Sequence, residues 1–441
     1  MTTPSEDPAW PSERLGWIAV LLLSLAAVAS YFDRVVISLL VEPIKADFEL
    51  SDTGFATLQG VAFGVFYTLL AFPLGRLADN RSRRMIVICG LAAFSLFSMA
   101  SGITRNYWQL FLARTGVGVG EASLTPASYS ILSDYFPPGK LGRALGAFTT
   151  SAYLGMGLAF VCGGAVIGWL SKPGALDWWI VDHHKPWQVA FMLIGMPGLL
   201  LLIPIALLLK EPFRRGVAGK AKAVPLEEVG ATLWERRRVL TPMFAGFAMV
   251  VLPGYAGVAW TPAMFIRVFH WSAAEIGLAY GLIYMIFGMA GVFTGGWLSD
   301  RATVRGVLDA PLKISAAGMA GFAIFGALAP LMPTAPLSLA MFAIALFLST
   351  IPYPLAGTAI QLITPNRMRG QTTAIYLTVV NMIGLGLGPI IVGLFTDHLF
   401  TQPGDVRYSL AIVNCVAGPS AVLLLMLAAR PYRALRAAIA G

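Results

Sequence analysis

The sequence predicts an all-α membrane protein: twelve transmembrane helices in two pseudo-symmetric six-helix halves, with both termini in the cytoplasm. Three observations carry this reading. The 441 residues are 57% hydrophobic and 12% charged, whereas soluble domains hold about 25% charged residues. Apolar runs long enough to cross a bilayer recur along the whole chain, separated by short polar loops. A charged loop motif in the first half returns at the matching place in the second.

Taken in order, residues 1–14 are polar and read as a cytoplasmic tail. Apolar spans follow at approximately 15–41, 53–75, 85–104, 107–133, 140–170 and 188–210, which form the first half, 15–210. A charged linker occupies 211–238. The second half, 239–430, holds spans at about 239–266, 275–298, 311–331, 336–362, 370–397 and 408–430, and a basic tail, 431–441, ends the chain. Each run meets the ~20 residues a crossing helix needs, and lipid cannot satisfy the open backbone of single strands. The first run is too long for a secretory signal, carries Asp33-Arg34 and lacks a small-residue cleavage site, so it reads as span one. Within the linker, Leu226–Leu240 reads either as a helix on the membrane surface or as a solvated tether.

The orientation comes from the basic residues. With the N-terminus inside, the cytoplasmic loops receive most of them, including Arg76, Arg81, Arg83, Arg84 and the linker cluster; the other loops hold only Lys45, Arg105, Lys172, Lys185, Arg267 and Arg407. The same distribution explains the net charge of +9 without a nucleic-acid face, and the multi-pass chain is expected in the cell (inner or plasma) membrane. Cys89, Cys162 and Cys415 lack pairable spacing, and His183, His184, His270 and His398 are not grouped as ligands. No disulfide framework, metal or cofactor is expected, and no nucleophile–base set or phosphate loop points to an enzyme.

The repeat is specific. Gly75-Arg-Leu-Ala-Asp79 recurs as Gly296-Trp-Leu-Ser-Asp300, and Pro137 and Gly142 after span four recur as Pro365 and Gly370 after span ten. Both halves start inside, so the repeat is parallel about an axis along the membrane normal. The loop from Gly75 through Asp79 to Arg83-Arg84 resembles the signature of the major facilitator superfamily, departing from it at Asn80 and Ser82; the second copy keeps Asp300, Arg301 and Arg305. Within that superfamily the chain resembles the Spinster-like branch of lysolipid and sphingosine-1-phosphate transporters. That likeness rests on Tyr31-Phe-Asp33-Arg34, on Arg114-Thr-Gly-Val-Gly-Val-Gly-Glu121-Ala, and on Ser133-Asp-Tyr-Phe-Pro137. The local patterns also shade into organic-anion and sugar-acid transporters. The resemblance implies a monomeric secondary transporter working by alternating access. It also implies that Asp79 contacts the loop arginines and the start of span eleven near Gly370, latching the cytoplasmic side. Gly75, Asp79, Arg83, Arg84, Gly296, Asp300 and Arg301 are the gating set on this reading.

The stretch Leu112–Ser123, LARTGVGVGEAS, places Arg114 and Glu121 two helical turns apart on one face of span four. Ionisable groups at that depth are costly and tend to line a pathway. Asp33 in span one falls at the level of Arg114, and Glu121 about 10 Å deeper. Asp33 and Glu121 are therefore the proton-exchanging candidates, with Arg114 controlling them; a fixed set of ion pairs is the alternative. Arg34, about 100° around the helix from Asp33, is a candidate for an anionic cargo group, as is Arg114, or it serves packing. The second half has essentially no charges inside its spans; Tyr353 and Asn381 are its polar candidates, amid many Phe and Met. This asymmetry suits an amphipathic anion, a charged head on the first half and an apolar chain on the second. A small organic acid, sugar acid or hydrophobic drug is the alternative cargo, and a receptor or uncoupled channel the alternative class. Gly155, Gly157, Gly163 and Gly164 in span five, and Gly384, Gly386 and Gly388 in span eleven, are expected to allow close backbone contact, either between the halves or in ordinary packing.

Overall fold

In lipid a segment must satisfy its own backbone hydrogen bonds, and helices do so. The computed structural model describes residues 10–176, 183–214, 225–400 and 402–440, and every regular element among them is helical. Eleven helices are long and apolar enough to cross a membrane. In the first half they are Glu13–Leu39, Asp52–Leu77, Arg83–Ser101, Gly139–Leu170 and Pro186–Leu208. In the second they are Arg237–Phe269, Ala273–Val304, Ala310–Leu331, Ala335–Ile363, Arg369–His398 and Pro403–Ile439. Span four completes the twelve as two pieces, Tyr107–Ala122 and Leu124–Tyr135. The break at Ser123 has a local cause: Pro126 has no N–H to offer the Ala122 carbonyl, so the ladder lapses there.

Span twelve does not stop where the apolar run ends. Its helix continues from Val406 to Ala440, and the basic tail docks on the second half: the Tyr432 hydroxyl donates to the Ala359 carbonyl at 3.1 Å, and Arg433 pairs with Asp309 at 2.6 Å. Residues 215–224 of the linker lie outside the described residues. Beyond them Leu226–Glu235 is a helix, with Val229 buried, Trp234 exposed, and the Arg237 guanidinium 4.7 Å from the Trp234 ring.

The halves meet unequally along their seam. At the end away from Glu13 and the tail they are pressed together. A Cβ on Gly60 of span two would lie 2.4 Å from the Gly386 carbonyl oxygen of span eleven, and one on Gly157 of span five 2.7 Å from the Gly281 carbonyl of span eight. Only glycine permits this approach. Gly164 likewise faces span eight, whereas Gly155 and Gly163 face span one, and Gly384 and Gly388 face span seven. Polar contacts close the same end. The Asp397 carboxylate of span eleven accepts from the Asp52 and Thr53 N–H groups at 3.0 and 2.7 Å, capping span two from the other half. Arg267 of span seven grips Asp52 and Glu42, both at 2.7 Å, and Lys45 adds a second cation to Asp52.

At the opposite end the inner faces of spans five and ten stand clear. Gly142, Gly146, Thr149 and Tyr153 follow one another at helical spacing, as do Tyr353 and Gly357. Thr149, Tyr153 and Tyr353 line the central cavity, and a Cβ on Gly142, Gly146 or Gly357 would meet nothing within 4 Å. The molecule is sealed at one end of its seam and parted at the other.

Candidate functional site

A cavity of about 330 Å³ lies between the halves. Spans one, two, four and five supply Tyr31, Arg34, Gln59, Phe63, Arg114 and Tyr153. The facing wall is aromatic and aliphatic, with Tyr255, Tyr284, Leu346, Tyr353, Leu385 and Pro389. Three π-helical segments, Leu58–Val65, Tyr284–Gly288 and Met382–Leu387, present Gln59 and Phe63, Tyr284, and Leu385 to this space. Such widened turns re-aim side chains and are frequent where function sits.

Two ion pairs stand in the first-half wall. Arg114 pairs with Asp33, both essentially buried. Arg34 pairs with Glu121 through Nε and Nη2, each 2.6 Å from the same carboxylate oxygen. The sequence places Asp33, Arg34, Arg114 and Glu121 in one polar column, and the structure brings all four together. It also decides their partners: neighbours in sequence, Asp33 and Arg34 reach residues two turns apart on the first helix of span four, Arg114 and Glu121. Aromatic rings cradle the cations. The Arg34 guanidinium carbon lies 4.6 Å from the centre of the Tyr67 ring and 4.8 Å from that of Phe63, which also serves Arg114 at 5.6 Å. Cation–π attraction strengthens in desolvated surroundings. The arginines line the cavity while the two carboxylates stand behind them. Asp33 Oδ1, Glu121 Oε1 and Arg114 Nε are buried without a hydrogen-bond partner.

Of the second-half candidates, Tyr353 lines the cavity and meets Tyr153 edge-on across the seam, ring centres 6.4 Å apart. Asn381 ends the α-helical stretch before the π turn of span eleven and does not line the cavity. Gln59 and Phe63 also line it; the sequence mark of Gln59 is a lone amide inside a long apolar run.

The cytoplasmic-motif residues scatter over different environments. Arg83 is enclosed by its own half: it pairs with Asp134, meets Glu211 at 2.8 Å and donates to the Pro212 carbonyl at 3.0 Å. Arg84 donates its N–H to Glu211 at 2.8 Å and its guanidinium to the Ala206 carbonyl. Gly75 packs loosely near Pro126, and Gly296 faces open space. Asp300 is exposed, as is Arg301, whose guanidinium lies 5.3 Å from the Trp297 ring. The Asp79 side chain lies outside the described residues.

A cavity on the seam of two six-helix halves, closed at one end, is the architecture of an alternating-access carrier. The Major Facilitator Superfamily model matches residues 23–389. This chain belongs to the Major Facilitator Superfamily. Among solved structures, the major facilitator fold here is similar to a bacterial homolog of the human lysosomal transporter Spinster in an inward-facing, unoccupied conformation. The TM-score is 0.76 with 25% identity, over 97% of this chain and 98% of that one. Protein spinster homolog 1 of Xenopus tropicalis is 27% identical, over 86% of this chain and 73% of that protein. An MFS-type efflux pump of Mycolicibacterium smegmatis is 27% identical, over 95% of this chain and 94% of the pump. A probable L-galactonate transporter of Escherichia coli is 26% identical over 95% and 90%. The chain is thus a multi-pass major facilitator transporter similar to Spinster proteins, and its relatives are transporters rather than enzymes.

Proposed function

We propose that this transporter moves an amphipathic anion, a single-chain lipid such as a lysolipid, together with a proton across the plasma membrane, acting as a monomer with both termini cytoplasmic. The observation that carries this reading is the cavity's division. Arg34, held by Glu121 and open to the cavity, is a fixed positive group on one wall, and the other wall is Tyr-rich and apolar. The aliphatic and ring surface of that second wall suits an acyl chain.

Coupling follows from Arg34 having two suitors. Glu121 holds its guanidinium while ionised. A cargo anion competes for the same cation, so cargo binds best when Glu121 is protonated, and proton and cargo enter together. Asp33 and Arg114 form the parallel pair at the other level. The open end of the seam, which the basic loops place in the cytoplasm, is where exchange with the interior takes place, and the Asp79 motif is the element that would hold that end shut in the alternate state.

The test is flux in proteoliposomes under an imposed pH gradient, with lysolipids screened against sugar acids. The expected result is gradient-driven lysolipid uptake that falls at least tenfold in Glu121→Gln and Asp33→Asn. Full gradient-driven flux in both variants would end the coupling scheme. Similarity to the probable L-galactonate transporter makes a sugar acid the second reading; indifference to lysolipid tail length in the same assay would favour it.

A further inference from the structure

One polar group in the cavity has no role in either ion pair. Gln59 is 9% exposed, lines the cavity, and its Nε2 is buried without a hydrogen-bond partner. It sits in the π-helical turn of span two, between Leu58 and the Gly60 that presses on span eleven. Asp52 begins that span seven residues earlier, so Gln59 lies about 10 Å in from the closed end. Phe63, four residues on, carries the ring beneath both arginines. A buried N–H donor left without an acceptor is destabilising, so the unpartnered Gln59 Nε2 points to a partner supplied from outside the chain.

Once Glu121 is protonated, the Arg34 fork can take two oxygens of an anion. A carboxylate has only those two. A phosphate monoester has a third, available to a donor elsewhere in the wall. We propose that Gln59 is a specificity-determining residue that donates to this third oxygen, so the cavity prefers a tetrahedral oxyanion head to a carboxylate head on the same chain. This rests on the reading of the cavity as an anion site. It adds what that reading leaves open, which anion is preferred and why.

The experiment measures binding to purified full-length protein of dodecyl phosphate, dodecanoate and inorganic phosphate. The wild type is expected to favour dodecyl phosphate over dodecanoate. Gln59→Leu should weaken dodecyl phosphate about tenfold or more and leave dodecanoate unchanged, shrinking the ratio between them. Because Leu removes an unpaired buried amide, the ligand-free variant should melt no lower than wild type; Gln59→Met, closer in shape, serves if Leu packs badly. A purely structural role would move melting and both ligands together. Comparable loss for inorganic phosphate would show that the head alone is recognised; loss confined to the alkyl phosphate would show that the head is read on a lipid. An unchanged phosphate-to-carboxylate ratio in Gln59→Leu, with Arg34→Gln still abolishing both, overturns the Gln59 inference alone. Failure of the wild type to bind either alkyl anion overturns the anion-site reading and this inference with it.

Discussion

Arg114 shows how a single side chain can be tied to both architecture and chemistry. Its guanidinium and the Asp33 carboxylate are almost wholly enclosed, 1% and 0% exposed. Removing one partner of such a pair strands the other charge and is destabilising by roughly 3–5 kcal/mol, whereas replacing both with apolar groups is often neutral. Arg114→Met should therefore lower the thermal stability of the purified protein sharply, and Asp33→Leu/Arg114→Met should recover most of the loss. A double variant as unstable as the single one would mean the pair contributes net stability in its own right. Arg34 differs: both arginines line the cavity, but its side chain is the more open of the two, 15% exposed against 1%, so its loss should cost cargo binding far more than folding. Sequence spacing was enough to put these four residues at neighbouring depths. It was not enough to pair them, because pairing depends on how span one is rotated against span four.

At the scale of elements, the closed end of the seam is a set of cross-half contacts between spans two, seven and eleven. Asp397 caps the first turn of span two by accepting two N–H groups, the arrangement by which a carboxylate favours a helix N-terminus. The relation expected between Asp79, at the other end of span two, and the start of span eleven near Gly370 is the same kind of cap at the opposite end of the seam, with the roles of the two spans exchanged. Losing a cap of this type is worth about 1 kcal/mol, or roughly fivefold in a two-state population. Asp397→Asn should shift spin-label distances between the closed-end termini of spans two and eleven toward separation, and Arg267→Gln should do so further. Unchanged distances in both would show that the glycine contacts alone hold this end. Span four teaches the complementary lesson: an apolar run reads as one crossing, and Pro126 divides it into two helices.

At the scale of the molecule, each half carries its own ionic clasp near the open end. Burial pushes the Glu211 carboxyl up, but the Arg84 N–H, the Arg83 guanidinium and the Ser82 hydroxyl outweigh it and hold it below the usual carboxylate range. Asp309 is likewise raised by burial and brought lower overall by Arg433 and Lys313. A carboxyl whose folded value is depressed contributes stability at neutral pH and loses it as pH falls through that value. Melting temperature should therefore decline on acidification below about pH 4, and less steeply in Glu211→Gln. An identical acid limb in the variant would remove Glu211 from the account. One clasp ties the start of the linker to the first half and the other ties the tail to the second, and neither bridges the two halves.

Composition and periodicity alone determined that this chain crosses a membrane repeatedly as helices, because continuous apolar runs of about 20 residues match a crossing helix and satisfy their own backbone in lipid. The duplicated loop pointed to the two-half layout, and the rare intramembrane charges marked the candidate site, because an ion in hydrocarbon is costly. The tertiary structure decided what depends on rotation and contact between distant segments. It paired Asp33 with Arg114 and Arg34 with Glu121, and it set the arginines toward the cavity with the carboxylates behind them. It turned Gln59 into the cavity through a π turn that no residue pattern announces. It also chose which end of the seam is shut, a matter of a few close contacts between halves that the same sequence must be able to make and break.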